Sequence, residues 1–206
     1  LIVHGTEEQK AEHLPKILSG EVAWAQGYSE PGAGSDLASL QTRAVRDGDE
    51  YVVNGQKIWT SGGHLADWLF ALVRTDAEAP KHRGISFLMM DIKSSGLSLR
   101  PLINMGWKHH FNETFFADVR VPVKNRIGEE NRGWYVGMTL LDFERSGIAG
   151  AISYKRGLAD MKAFLDTAEG KKFRRTDFNM TRLDLADRAI ETQILFNFAF
   201  RIVSIQ

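Results

Sequence analysis

The rhythm of apolar and polar positions divides the chain into three stretches. The first, residues 1–21, opens on Thr6-Glu7-Glu8-Gln9, a capping box in which the Thr hydroxyl accepts from the third helical N–H and Gln9 reaches back. A short helix is expected after it, disturbed at Pro15 and closed at Gly20. Residues 22–130 form the second stretch, in which β-branched and aromatic runs are punctuated by turn pairs. Asp47-Gly48 and Asn54-Gly55 flank Tyr51-Val52-Val53, a strong hairpin signal that predicts an antiparallel meander. Further strands are expected at residues 68–74, 85–92, 97–102 and 114–121, the second continuous enough to be buried on both faces.

The third stretch, residues 131–206, changes to a helical period. Asn131 is placed to cap a long helix starting near Gly133, with apolar residues at Val136, Leu140, Phe143, Ile148, Ile152, Leu158, Met161 and Leu165. Residues 171–179 read as a polar, basic loop, and a second helix is expected from a cap near Thr181 to the chain end. Two such helices cannot bury both faces alone, which implies partner helices. The fold class is α+β: a central antiparallel sheet or open β-barrel of roughly seven strands, flanked by helical segments, the C-terminal one part of a bundle. Because the sequence opens at Leu1 without Met and ends in an apolar periodic stretch, it is expected to belong to a longer protein.

Composition removes several functions. With 206 residues, 26 Lys and Arg against 26 Asp and Glu, and 43% hydrophobic residues, the chain can sustain a core and has no electrostatic footprint for nucleic acid. The absence of Cys excludes disulfides, thiolate chemistry and Cys-ligated metals. No apolar run of about 18 residues is present, so no membrane span is expected and a cytoplasmic location is the default.

Chemistry is sought in two turns and one helix. Ser29-Glu-Pro-Gly-Ala-Gly-Ser-Asp36 is a Gly-rich turn after a strand, a type that exposes N–H groups able to hold phosphate, although taken alone it is better explained as a structural turn. Ile58-Trp59-Thr60-Ser61-Gly62-Gly63 sets an aromatic anchor before two hydroxyls, and core packing explains it when taken alone. His109-His110 with Asn112-Glu113 lacks the spacing of a metal site, so no metal is expected.

Taken in order, these segments, followed by Met105-Gly106, Phe116-Ala-Asp-Val-Arg-Val-Pro122 and Asp142-Phe143-Glu144-Arg145, resemble the acyl-CoA dehydrogenase family. The resemblance starts at Gly5-Thr6-Glu7-Glu8-Gln9-Lys10 and fades after about Leu165. It implies a non-covalent FAD against the β domain and an acyl-CoA thioester between flavin and helices. On that basis Gln26, Gly27, Tyr28 and Ser29 resemble the strand that hydrogen-bonds the flavin pyrimidine edge. Trp59 resembles the aromatic residue beside the flavin, followed by Thr60, and Ser61 the hydroxyl near flavin N5. Ser35 resembles the residue bordering both FAD and CoA. Asp142, Phe143 and Arg145 match the helical segment that faces the substrate.

The resemblance further implies α,β-dehydrogenation to a trans-2-enoyl-CoA, with Glu144 as the base that takes the α-proton while flavin N5 accepts the β-hydride. Glu144-Arg145 matches a minority pattern; most of the family carries its base in a later segment. An electron-transfer flavoprotein as acceptor and a homodimer or homotetramer are implied as well. The usual Arg-x-x-Phe-Gly segment has only a loose counterpart in Lys171-Lys-Phe-Arg-Arg175. A monooxygenase or oxidase on the same fold, and a non-catalytic subunit of a heteromeric dehydrogenase, remain open beside it.

Overall fold

The computed structural model describes residues 1–145, 147–173 and 178–205, which form two compact units, Leu1–Met138 and Thr139–Gln206. The first unit starts with helix α1, Glu7–Ser19. Its capping box forms as the sequence requires: Gln9 N–H donates to Thr6 Oγ1 at 3.2 Å and Thr6 N–H to Gln9 Oε1 at 3.0 Å. The helix runs on through Pro15 and ends at Gly20 with φ +70°. Buried Gln9 uses its remaining donor to dock the helix, bonding the carbonyls of Lys124 and Arg126 at 2.7 and 2.9 Å.

Eight strands follow: β1 Trp24–Gly27, β2 Arg43–Asp47, β3 Glu50–Lys57, β4 Trp68–Arg74, β5 Ile85–Asp91, β6 Leu97–Ile103, β7 His109–Pro122 and β8 Arg126–Ile127. They build one open mixed sheet in the order β6-β7-β3-β2-β4-β5-β8, with β1 running parallel to β4. The α+β class holds, but the meander does not. Three sequential hairpins, β2–β3, β4–β5 and β6–β7, are joined out of order, because pairing between distant segments and not local pattern decides which hairpins meet.

Of the two turn pairs only Asp47-Gly48 makes a hairpin. Asn54-Gly55 stays inside β3, where the ladder to β7 slips between Val53 and Gly55 and Asp118 on β7 takes φ +52°. Asn54 and Asp118 stabilise that bulge with two reciprocal bonds of 2.9 Å. Strand β5 is buried from Ile85 to Met90, as its continuous apolar run requires. Leu69, Leu72, Leu88 and Met89 have no exposed surface, and burying each contributes about 1.5–3 kcal/mol. Strand β7 starts at His109, earlier than expected, and so includes His109-His110.

The expected single long helix is two helices, α2 Gly133–Glu144 and α3 Ile148–Asp166. Gly147, at φ +64°, sits at the break in the left-handed region that only Gly enters cheaply. Gly133 starts α2 in direct contact with β5: a Cβ there would lie 2.3 Å from Phe87 N and Ser86 C. In the second unit α3 packs against α5, Phe178–Ile205, with Ala151 and Ala199 buried. Helix α5 begins before Thr181, and a short helical turn, α4 Gly170–Phe173, replaces part of the expected loop. The rest of the basic stretch, residues 174–177, lies outside the described residues. Leu183, Ile190, Ile194, Leu195, Phe198 and Ile205 remain exposed on α5.

Candidate functional site

Strand β1 pairs only with β4, so its outer backbone edge has no strand partner among the described residues. Gln26 is half-buried there, and Gly27 and Tyr28 are buried. The Tyr28 ring turns into the core, edge-on to Phe70 at 5.9 Å and Phe87 at 6.3 Å, leaving only its backbone for an outer ligand. Ser29 is half-buried, and its carbonyl accepts from Ile58 N–H at 2.9 Å. That bond sets the end of β1 beside the start of the Trp59–Ser61 turn. Ser35 lies exposed in the Gly-rich turn, whose neck is closed by two backbone bonds between Glu30 and Ala33 at 2.9 and 3.0 Å.

Trp59 is not a core residue. It holds φ +61°, an uncommon state for a bulky residue, and is 57% exposed, with Phe111 edge-on at 5.9 Å. Ser61 is exposed beside it. Thr60 does the opposite, turning its polar groups into the protein. Its N–H and C=O pair with Asn112 at 3.0 and 3.1 Å, and its buried hydroxyl meets Thr114 Oγ1 at 2.9 Å. Every hydrogen-bonding group of Thr60 is used inside the sheet.

Three arrangements hold these segments in place, none of them visible in the motifs. Lys57, with no exposed surface, donates to Glu30 Oε1 at 2.8 Å and to the Tyr28 carbonyl at 3.0 Å. Burial pushes the Lys57 ammonium down to about 8 while Glu30 pulls it back up. Burial also acts to raise the Glu30 carboxyl, but Lys57 and hydrogen bonds from Gln41 and Thr42 outweigh it, and the net direction is down. Both directions leave the pair charged at neutral pH. Buried Arg74 bonds the carbonyls of Ala38, Arg83, Lys81 and Leu40 at 2.6, 2.9, 3.2 and 3.4 Å, tying the chain after Ser35 to the β4–β5 loop. Buried Asn112 bonds the Thr60 carbonyl at 3.0 Å and His109 Nε2 at 2.8 Å, with His64 stacked on His109 at 3.7 Å.

The period of β3 contains the missed signal. Tyr51 and Val53 point inward, and two further steps of two reach Lys57. A lysine at an inward strand position demands a buried carboxylate, and Glu30 in the neighbouring turn is that partner.

The donor set fits a flavin. A free strand edge suits the alternating donors and acceptors of a pyrimidine ring, an exposed indole suits a planar face, and the exposed Ser35 and Ser61 hydroxyls suit polar edges. A further open groove of about 500 Å³ is lined by Glu30, Pro31, Gly32, Ser39, Gln41, Thr42, Gly55 and Gln56.

The remaining candidates lie in the second unit. Asp142, Phe143, Glu144 and Arg145 are all exposed, and Arg145 makes a surface ion pair with Asp142 at 3.4 Å. Glu144 is the last residue of α2. Ile148 therefore follows across a helix break instead of one turn along the same helix.

Residues 25–119 match the family described as acyl-CoA dehydrogenase, middle domain. Acyl-CoA dehydrogenase FadE29 of Mycobacterium tuberculosis is 53% identical over 145 residues, 70% of this chain and 38% of that protein. The structure of the Tcur3481-Tcur3483 steroid ACAD superposes with a TM-score of 0.77 at 40% identity, covering 100% of this chain and 53% of that one. The ChsE4-ChsE5 complex from Mycobacterium tuberculosis gives a TM-score of 0.76 at 39% identity, covering 100% and 53%. The chain thus spans about half the length of the solved relatives and less of the curated one.

Proposed function

The chain belongs to the acyl-CoA dehydrogenase family, and from that premise we propose that it serves an FAD-dependent dehydrogenase that converts an acyl-CoA thioester to its trans-2-enoyl-CoA. The observation that carries this reading is the free edge of β1 set beside the exposed Trp59 and Ser61 by the Ser29–Ile58 bond. FAD, when bound, supplies the hydride acceptor. Backbone groups of Gln26, Gly27, Tyr28 and Ser29 would hold its pyrimidine edge, Trp59 would cover a face, and Ser61 and Ser35 would donate hydroxyls. Donors fixed there before reaction stabilise charge that develops on a bound ring without reorganising.

Glu144 is the candidate base on this chain, with Asp142, Phe143 and Arg145 on the substrate side. An exposed carboxylate gains the basicity that C–H abstraction needs only once substrate or neighbouring protein excludes water from it. A steroid-bearing acyl-CoA is the first substrate to test, since the Tcur3481-Tcur3483 protein is described as a steroid ACAD. An electron-transfer flavoprotein is the proposed acceptor. The apolar residues left exposed along α5 support assembly with further helices, of a like or a different subunit. The ChsE4-ChsE5 complex, built of two different chains, favours a second reading in which this chain is one half of a heteromer. Among the described residues no helix is long and apolar enough to cross a membrane.

The test is direct. Purified holoprotein should release FAD on denaturation and reduce an artificial electron acceptor when given acyl-CoA thioesters. Flavin without turnover on any of a panel of acyl-CoA thioesters would favour the oxidase or subunit reading, and absence of flavin would end the proposal.

A further inference from the structure

A lysine without exposed surface needs a reason, because its charge must be compensated in full. Lys57 sits where the two halves of the candidate flavin site meet. Its ammonium bonds the Tyr28 carbonyl at 3.0 Å and Glu30 Oε1 at 2.8 Å, while the next residue, Ile58, bonds the Ser29 carbonyl at 2.9 Å. Three consecutive residues at the end of β1 are thus tied to two at the end of β3, immediately before Trp59 turns outward. Glu30 extends the tie by accepting from the N–H groups of Gln41 at 2.6 Å and Thr42 at 2.9 Å.

The Tyr28 carbonyl and the Ser29 N–H belong to one peptide group. A cation on the carbonyl polarises that group and makes the N–H a stronger donor, an effect that a low-dielectric interior enlarges. The Ser29 N–H is one of the strand groups that the FAD reading directs at the flavin. Charge that gathers on the pyrimidine edge of reduced flavin would therefore feel Lys57 through one peptide.

We propose that Lys57, held by Glu30, is a positioning residue of the flavin site: it fixes the end of β1 against the Trp59–Ser61 turn and strengthens binding of FAD, reduced FAD most, without touching the cofactor. This rests on the FAD reading above. The charged groups that act on Lys57 are Glu30, which supports its ammonium, and Arg74, which opposes it. Burial places its titration at about 8, so the ammonium is present at neutral pH and lost in mild alkali.

The experiment compares the parent holoprotein with Lys57→Met, Glu30→Gln and the double variant, measuring FAD dissociation constant, flavin midpoint potential and thermal stability. Lys57→Met and the double variant should bind FAD about tenfold more weakly, and reduced FAD about tenfold more weakly again, which lowers the two-electron potential by about 30 mV. Glu30→Gln removes the carboxylate that keeps Lys57 charged, so at neutral pH it should weaken FAD binding and lower the potential in the same direction as Lys57→Met, by less because the amine still donates to the Tyr28 carbonyl. The double variant leaves no charge unpaired and carries the comparison if Lys57→Met does not fold. A merely structural pair would make affinity follow stability in all three variants with the potential unmoved, and that result overturns the proposal. Should no Lys57 variant fold, FAD affinity of the parent should fall about tenfold between roughly pH 7 and 9.5, and a flat profile overturns it. A parent that takes up no FAD at all overturns the FAD reading and this one with it.

Discussion

Arg74 offers the clearest test of what holds the candidate site in place. Its guanidinium is buried and bonds four carbonyls, two at short distance, Ala38 at 2.6 Å and Arg83 at 2.9 Å, and two at 3.2 and 3.4 Å. Arg74→Met keeps most of the aliphatic stem and removes the donors. A charged hydrogen bond contributes roughly 1.5–3 kcal/mol, but the exposed loop at Lys81 and Arg83 lets water replace part of the loss. The carbonyl of Ala38, itself buried, cannot be served that way. The net cost should be about 3 kcal/mol, among the larger single-residue effects. All five Trp residues lie in Leu1–Met138, so Trp fluorescence reports unfolding of this unit alone. With a urea slope of about 2 kcal/mol per molar, the midpoint should drop by about 1.5 M. Amide exchange should accelerate at residues 37–40 and 75–84 before the strands. A midpoint shift below about 0.3 M would refute the argument that these four carbonyls depend on Arg74.

Three further outcomes follow from the same geometry. Trp59→Ala should weaken FAD binding at least about fivefold more than Trp68→Ala, because Trp59 is exposed at the site whereas Trp68 stacks on Trp24 at 5.4 Å under α1; equal losses at matched stability would remove the distinction. Glu144→Gln should leave FAD binding intact and slow substrate reduction of the flavin by about 10²-fold or more, and a rate near the parent's would move the base elsewhere. The Glu30 carboxyl is held below its ordinary 4.5, so the stability it adds is complete above that value and lost as pH falls through the lower folded value. The part of the stability gap between parent and Glu30→Gln that comes from this carboxyl should close as pH falls below 4.5, and a gap that persists in acid would contradict the sign.

The sequence exposed this protein unevenly, for physical reasons. Thr6 to Gln9 and the continuous run of β5 were legible because their meaning is local: a cap needs only its neighbours, and a strand buried on both faces has no polar positions to alternate. Asn54-Gly55 misled because the same dipeptide serves a turn or a residue opposite a bulge, and Asp118, far away in the chain, decides between them. The break at Gly147 was hidden inside a period that continues on both sides of it. Which of the two neighbouring hydroxyls turns inward was not legible, because Asn112 and Thr114, on another strand, are what engage Thr60. Lys57 is signalled only by the period of β3, and the burial of Arg74 is a property of the assembled sheet that no motif carries.

The central claim concerns a two-electron oxidation next to β1 and Trp59. Mixing the holoprotein anaerobically with a steroid-bearing or simple acyl-CoA, and following the visible absorbance of the oxidised flavin, tests it in a single turnover. The account predicts that the flavin bleaches with one equivalent of substrate and that the thioester recovered has lost two hydrogens between its α and β carbons. A flavin that keeps its colour under saturating acyl-CoA, with the thioester recovered unchanged, would contradict it.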